Sequence, residues 1–227
     1  MIVLDKMIQG SEEWLNARKG RATASEFSKI LTATGNLSKQ SIGYMRKLAR
    51  ECVIDDPQEF AGNKFTDWGH EMEPLARDYF QAEVLDDRLL TVEEVGFIGR
   101  GDGAPVGCSP DGLIRCAQSG AFVGGLEIKC PQVDTHVGYL MEGLLPNAYK
   151  MQVHGSMAVT GLPYWYFISY YPEMNPLVLK VERDDFTDKV GAALDQFVID
   201  YAAERERVLA AILPGQEPAT ADSEGLI

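Results

Sequence analysis

The chain has no apolar run long enough to cross a bilayer, and Met1-Ile2-Val3-Leu4-Asp5 lacks the charged-then-apolar layout of a signal peptide. A protein of the cytoplasm, with no membrane partner, is the expectation. Cysteine is scarce: Cys52, Cys108, Cys116 and Cys130 show no C-x-x-C spacing, which leaves free thiols in a reducing compartment. Histidine is scarcer still, and neither His136 nor His154 has a further His or Cys at zinc spacing. Partly buried or surface imidazoles are expected at both. Basic charge is short as well, with 21 Lys and Arg against 34 Asp and Glu and a formal charge of -13. Nucleic-acid binders ordinarily carry a basic footprint, yet net charge describes the whole surface and not a groove, so an enclosed basic site can coexist with an acidic exterior. No internal repeat is present. At 227 residues and 45% hydrophobic, the chain can bury one large core. Residues 1–213 are read as one domain and 214–227, small, polar and acidic, as a flexible tail.

What is present reads as an α/β chain. Two short helices are expected over 11–31, joined at Lys19-Gly20-Arg21, the second capped by Thr23 with Glu26 three residues on. An amphipathic helix follows from Ser38 to about Val53, with Ile42, Met45, Leu48 and Ala49 on its apolar stripe. After a loop at 57–65, a helix from Asp67 to Ala82 turns Trp68, Met72, Leu75, Ala76 and Tyr79 inward. Strands are expected at 92–98, 104–108, 113–115 and 122–129, punctuated by glycine and proline. Helices follow at 134–141, with Asp134 as N-cap, and at 146–159. The runs from Tyr164 to Tyr171 and from Leu177 to Val181 form a hairpin. Asp184 then caps a long helix to about Ile212.

The stretch around which the rest is organised runs from Cys108 to Pro131. Side chains alternate faces along a strand, so Glu127 and Lys129 share one face while Ile128 turns to the apolar side. Ser119-Gly120 and Gly124-Gly125 offer turn chemistry, so a folded-back pair of strands can carry Asp111 beside Glu127. Two carboxylates and a lysine then converge. Hard divalent cations take oxygen ligands, and a metal so held can bind phosphate and acidify a bound water, with the lysine orienting that water or offsetting charge. Each half is ordinary alone: E-x-K is common on solvated strand faces and Pro-Asp-Gly is a common turn.

Together, Pro110-Asp111 and Glu127-x-Lys129 resemble the PD-(D/E)xK nuclease core, and S-P-D-G-L with L-E-I-K-C-P resembles the phage lambda exonuclease family. Trp14 to Arg18, Thr23 to Glu26, Trp68 to Glu73 and Tyr149 to Val153 follow that family's order. The resemblance implies a restriction-endonuclease-like fold, a central mixed β-sheet flanked by helices. It implies digestion of linear double-stranded DNA from a phosphorylated 5′ end toward the 3′ end, giving mononucleotides and a 3′ single strand. Mg²⁺ is the implied cofactor, Mn²⁺ being admissible, held by Asp111, Glu127, the Ile128 carbonyl and Glu73, with Lys129 handling the attacking water. Arg18, Ser25, Ser109 and Gln152 become ligands of the 5′-phosphate, and Trp14 a contact to the DNA end. A homotrimeric ring, a phage single-strand annealing protein as partner, and a phage or prophage source acting in a bacterial host cytoplasm are further implications. No cysteine follows Cys130, which argues against the iron-sulfur-bearing relatives of the same core. A site- or structure-specific endonuclease and a non-catalytic DNA-binding domain remain as alternatives.

Overall fold

The computed structural model describes residues 2–4, 7–54, 64–85, 88–101 and 103–213. Two sheets frame it. The smaller has the order β1 (Ile2–Leu4), β4 (Phe97–Gly99), β5 (Val106–Cys108), β2 (Ala22–Thr23), with β2 parallel to β5 and the other pairs antiparallel. The larger runs β3 (Leu90–Glu93), β6 (Gly112–Cys116), β7 (Phe122–Lys129), β8 (Tyr164–Ser169), β9 (Leu177–Glu182). There β7 and β8 are parallel, and the remaining pairs are antiparallel. A parallel pair needs a crossover, and α4 (Val133–Glu142) with α5 (Asn147–Thr160) supplies it. The fold is mixed α/β with helices flanking mixed sheets.

β7 is the middle strand of five, and its residues alternate between two apolar clusters. Leu126 and Ile128 pack with Ala76, Phe80, Ile114 and Ile168 beneath α3 (Lys64–Tyr79). The larger cluster joins Trp165 and Phe167 of β8 to α5, α2 (Ser41–Glu51) and α6 (Asp185–Ile212). Trp165, Phe27, Phe97 and Phe167 are wholly buried, each contributing roughly 1.5–3 kcal/mol relative to exposure. Gly124 and Gly125 sit inside β7 rather than in a turn. Their lack of a side chain is what lets β8 lie close: a Cβ at Gly124 would stand 2.1 Å from the Tyr164 ring, and one at Gly125 2.3 Å from Trp165. The reversal between β6 and β7 is made instead around Gly120, whose φ is +67°.

Several other expectations change. The second helix of 11–31 is a 3₁₀ segment, Ala24–Lys29; Thr23 holds its N-cap position, but the capping box does not form, because the Thr23 hydroxyl faces Arg18 and Ser25 instead of the helix amides. The first, α1 (Glu12–Arg18), is capped by Ser11. The run at 92–98 is divided between the two sheets, with β3 ending at Glu93 and β4 beginning at Phe97. Ile42 and Leu75 are exposed, and Gln132 rather than Asp134 holds the N-cap of α4. α3 begins at Lys64, inside the expected loop, whose residues 57–63 lie outside the described ones. It contains Pro74 and continues as a π-turn over Phe80–Val84. The tail at 214–227 also lies outside the described residues. The Asp184 cap of α6 forms as expected, with the Thr187 amide donating to Asp184 Oδ1 at 2.9 Å.

Candidate active site and phosphate pocket

Antiparallel pairing of β6 with β7 sets Gly112 opposite Leu126, which carries Asp111 onto the strand that bears Glu127. The Asp111 amide donates to the Leu126 carbonyl at 3.2 Å, and the Ile128 amide donates to Asp111 Oδ2 at 2.6 Å. Glu127 is 1% exposed. Its Oε1 accepts from Lys129 Nζ and, at 2.5 Å, from Gln152 Nε2 on α5. Its Oε2 is buried with no hydrogen-bond partner among the described residues. Lys129 Nζ lies 5.2 Å from the centre of the Tyr149 ring, which stacks on Phe167. From the other side α3 brings Glu73, paired with Arg77 at 2.7 Å. Glu73, His70, Asp111, Ile128, Lys129 and Tyr149 line a cleft of about 290 Å³.

The electrostatics of this cleft are unbalanced. Burial pushes Glu127 up to about 8, with Lys129 pulling it down and Asp111 adding repulsion. Burial, and then Asp111, pushes Glu73 up to about 7. Asp111 is raised by burial against the pull of Lys129 and the Ile128 amide. Burial alone would lower Lys129, but Glu127 and Asp111 outweigh it and raise the ammonium above its ordinary range. Lys129 and Arg77 together do not offset Asp111, Glu127, Glu73 and Glu94, so the cleft suits an added cation. Among the described residues no three His, Cys, Asp or Glu side chains form a ready-made metal cage. The orphaned Glu127 Oε2 and the half-buried Asp111 carboxylate at the cleft wall are instead an incomplete oxygen set, which fits a hard cation completed by water and phosphate oxygens.

A second pocket of about 320 Å³ lies beyond Ser109-Pro110. Ser109 Oγ accepts from Trp14 Nε1 at 2.9 Å and from Arg18 Nη1 at 3.1 Å, and the Arg18 guanidinium stacks 4.2 Å from the Trp14 ring centre. Trp14 Nε1 also reaches the Gly96 carbonyl at 3.1 Å, in the break between β3 and β4. Arg18 Nη2 donates to Thr23 Oγ1 at 3.3 Å, and the Thr23 and Ser25 hydroxyls are 3.3 Å apart. Trp14, Arg18, Ser25, Tyr44, Lys47 and Glu51 line the pocket. Burial lowers the pKa of Arg18 from its ordinary value, and Tyr44 and Glu26 act in the opposite sense. The guanidinium has hydroxyl partners but no salt bridge among the described residues. Such a cation suits a bidentate anion.

Of the four residues expected to hold phosphate, the structure thus gathers Arg18, Ser25 and Ser109 and sets Gln152 apart. The Gln152 amide goes to Glu127 because a buried carboxylate needs donors, and α5 places one within reach. His136 and His154 are buried imidazoles: His136 bonds Ser169 at 2.8 Å and the Asn175 carbonyl at 3.0 Å, and His154 bonds Thr187 at 2.7 Å. The sequence reading gives no role to Arg77 or Tyr149. The i,i+4 spacing of Glu73 and Arg77 was the available signal for the first; stacking of Tyr149 on Phe167 is a tertiary contact without one.

The sequence model of the YqaJ-like viral recombinase domain matches residues 13–163. Among solved structures, the alkaline exonuclease LHK-Exo of Laribacter hongkongensis is 29% identical, with 86% of this chain and 95% of that chain covered and a TM-score of 0.68. Its complex with dAMP matches at 28% identity over 88% and 97% of the two chains, with a TM-score of 0.70. A phage-related exonuclease from Haemophilus somnus shares the fold at 16% identity, covering 81% and 96%, with a TM-score of 0.51. No curated protein sequence matches the chain.

Proposed function

The chain belongs to the family of YqaJ-like viral recombinase domains, and from that premise we propose that it is a metal-dependent exonuclease of phage-type recombination. In this reading residues 1–213 are one nuclease domain that digests linear double-stranded DNA 5′ to 3′ from phosphorylated ends. It releases mononucleotides and leaves a 3′ single strand for an annealing protein, and it works as a homotrimeric ring. The observation that carries the reading is the cluster of buried Glu127 with half-buried Asp111 and Lys129, whose carboxylates outnumber its cations and whose Glu127 Oε2 lacks a partner among the described residues. The dAMP complex of LHK-Exo supports a mononucleotide product.

Asp111, Glu127 and the Ile128 carbonyl would hold Mg²⁺, or Mn²⁺ in its place, with Glu73 assisting. When bound, the metal supplies Lewis-acid stabilisation of phosphate charge and an acidified water. The chain's own groups do the rest. Lys129, tethered by Glu127 and backed by Tyr149, stays an ammonium that orients the attacking water and offsets charge on the phosphate, because Glu127 and Asp111 hold its proton in place. Arg18, Ser25 and Ser109 receive the 5′-phosphate, and Trp14 braces Arg18 at the DNA end. Gln152 serves this site by holding Glu127.

The deciding assay is metal-dependent release of acid-soluble nucleotides from linear duplex, compared with covalently closed circles. Release from linear DNA alone is expected. Cutting of closed circles would replace this reading with an endonuclease, and no release from either would leave a binding domain.

A further inference from the structure

We propose that Arg77 is a positioning residue for the carboxylate cleft, a three-armed clamp that fixes the Asp111 main chain and the Glu73 side chain relative to one another. The inference rests on the metal-dependent reading above. Arg77 uses all three guanidinium nitrogens: Nε donates to the Asp111 carbonyl at 3.0 Å, Nη2 to Glu73 Oε1 at 2.7 Å and Nη1 to Glu94 Oε1 at 2.5 Å. Its side chain is 13% exposed. The three partners belong to three separate segments: α3, the break between β3 and β4, and the turn into β6. Ala76 packs α3 on Leu126 and Ile128 of β7, and Arg77 adds directed hydrogen bonds from the same helix to the turn that carries Asp111.

Two features of the chain suit such a device. Pro74 follows Glu73 inside α3 and removes the amide that would bond the His70 carbonyl, so one rung of the helix ladder is missing beside Glu73. Asp111 lies before the first residue of β6 and is tied to β7 through its own amide and one carboxylate oxygen, which leaves its carbonyl to be satisfied from outside the sheet. A planar fork meets a carbonyl and two carboxylates at once, whereas a lysine ammonium offers a point charge without fixed directions. By holding Glu73 Oε1, Arg77 also determines which Glu73 oxygen faces the cleft.

The test uses full-length protein carrying Arg77→Lys, with Arg100→Lys as a control. Arg100 is an arginine of similar wiring remote from the cleft, bonded to the Gly191 carbonyl at 3.2 Å and paired with Asp195 at 2.7 Å. Binding of Mn²⁺ alone, followed by electron paramagnetic resonance without DNA, is expected to weaken roughly 10- to 100-fold in R77K, the usual range for losing a group that orients a metal ligand. R100K is expected to bind as the parent does. With DNA, R77K should lose kcat while KM for ends stays unchanged. Parent-like Mn²⁺ affinity in folded R77K overturns the role of Arg77 alone. Failure of the parent protein to take up Mn²⁺ overturns the nuclease reading and this inference with it. Should R77K not fold, Arg77→Gln, which keeps two donors, is measured the same way and judged by the same outcomes.

Discussion

The two pockets are opposite in sign and alike in design. Around Glu127 and Asp111, negative charge is buried in excess of the cations that face it, and one carboxylate oxygen has no partner. Around Arg18, a half-buried positive charge lies among hydroxyls with no carboxylate in contact among the described residues, Glu26 and Glu51 standing further off in the lining. Each imbalance opposes folding, since desolvated charge is stabilised only by an opposite charge or by aligned donors. An acidic chain can therefore act on an anion: the groups that would meet phosphate are enclosed, and the charge of -13 describes the exterior. Ser109 and Asp111, with Pro110 between them, place one pocket beside the other.

If the pockets have the separate roles proposed, breaking each should leave a different signature. The largest effect is expected at the cleft. Lys129→Ala or Asp111→Ala should lower turnover on linear duplex roughly 10²- to 10⁴-fold, the range for losing a group that handles protons or developing charge. Binding of DNA ends, measured by fluorescence anisotropy, should persist. Retained turnover would remove either residue from the chemistry. Next is Arg18→Ala, which should lower kcat/KM on 5′-phosphorylated ends by roughly 10- to 100-fold, as expected for charge-assisted hydrogen bonds. Hydroxyl ends should lose far less. Equal losses on the two kinds of end would show that Arg18 supports Trp14 and Ser109 structurally and does not read phosphate.

A smaller effect, of up to about tenfold per pH unit for each proton displaced, separates the pockets by titration. Without a cation Glu127 holds its proton up to about 8 and Glu73 up to about 7. A folded-state pKa raised above the unfolded value stabilises the protein at low pH, and that contribution is lost as pH rises through the folded value. A divalent ion binds the ionised form, so Mg²⁺ binding should tighten from about pH 6 to about pH 8.5 and release protons, as calorimetry in buffers of different ionisation enthalpy would measure. Selectivity for phosphorylated ends should not follow this curve. Metal affinity flat across that window would mean that the ion displaces no proton from Glu127 or Glu73.

Much of the cleft could be read in the chain because its contacts are local in a strand frame. The alternation of Glu127, Ile128 and Lys129, and the antiparallel return that brings Asp111 onto β7, follow from period-two geometry. What escaped depends on distant partners. Gly124-Gly125 reads as a turn until Tyr164 and Trp165, forty residues further on, are seen to need the space. The run at 92–98 reads as one strand because its residue types do not record that its two ends join different sheets. Thr23 followed by Glu26 reads as a capping box until β2 pairs with β5 and the hydroxyl meets Arg18. Gln152 has a phosphate role only by resemblance, and nothing local in the chain records that its amide meets the buried Glu127, twenty-five residues earlier.

The smallest effect lies on α5, the helix that also carries Gln152 to the cleft. His154 is buried, bonds Thr187 Oγ1 at 2.7 Å and faces Asp184 at 3.4 Å, so it joins α5 to the capped start of α6. Burial lowers its pKa, with Asp184 opposing and Lys150 reinforcing that shift. The unfolded chain therefore binds a proton near pH 6.5 that the folded protein refuses, and stability present above that value is lost as pH falls below it. His154→Gln keeps a side chain able to bond Thr187 but removes the titration. Its unfolding midpoint in urea, measured without divalent ions, should fall less than that of the parent between about pH 7 and pH 5. Because Glu127 and Glu73 titrate in both proteins, the difference between the two curves isolates His154. Superimposable curves would place the proton elsewhere. A change in Mg²⁺ affinity in H154Q would instead show that α5 couples its buried histidine to the carboxylate that Gln152 holds.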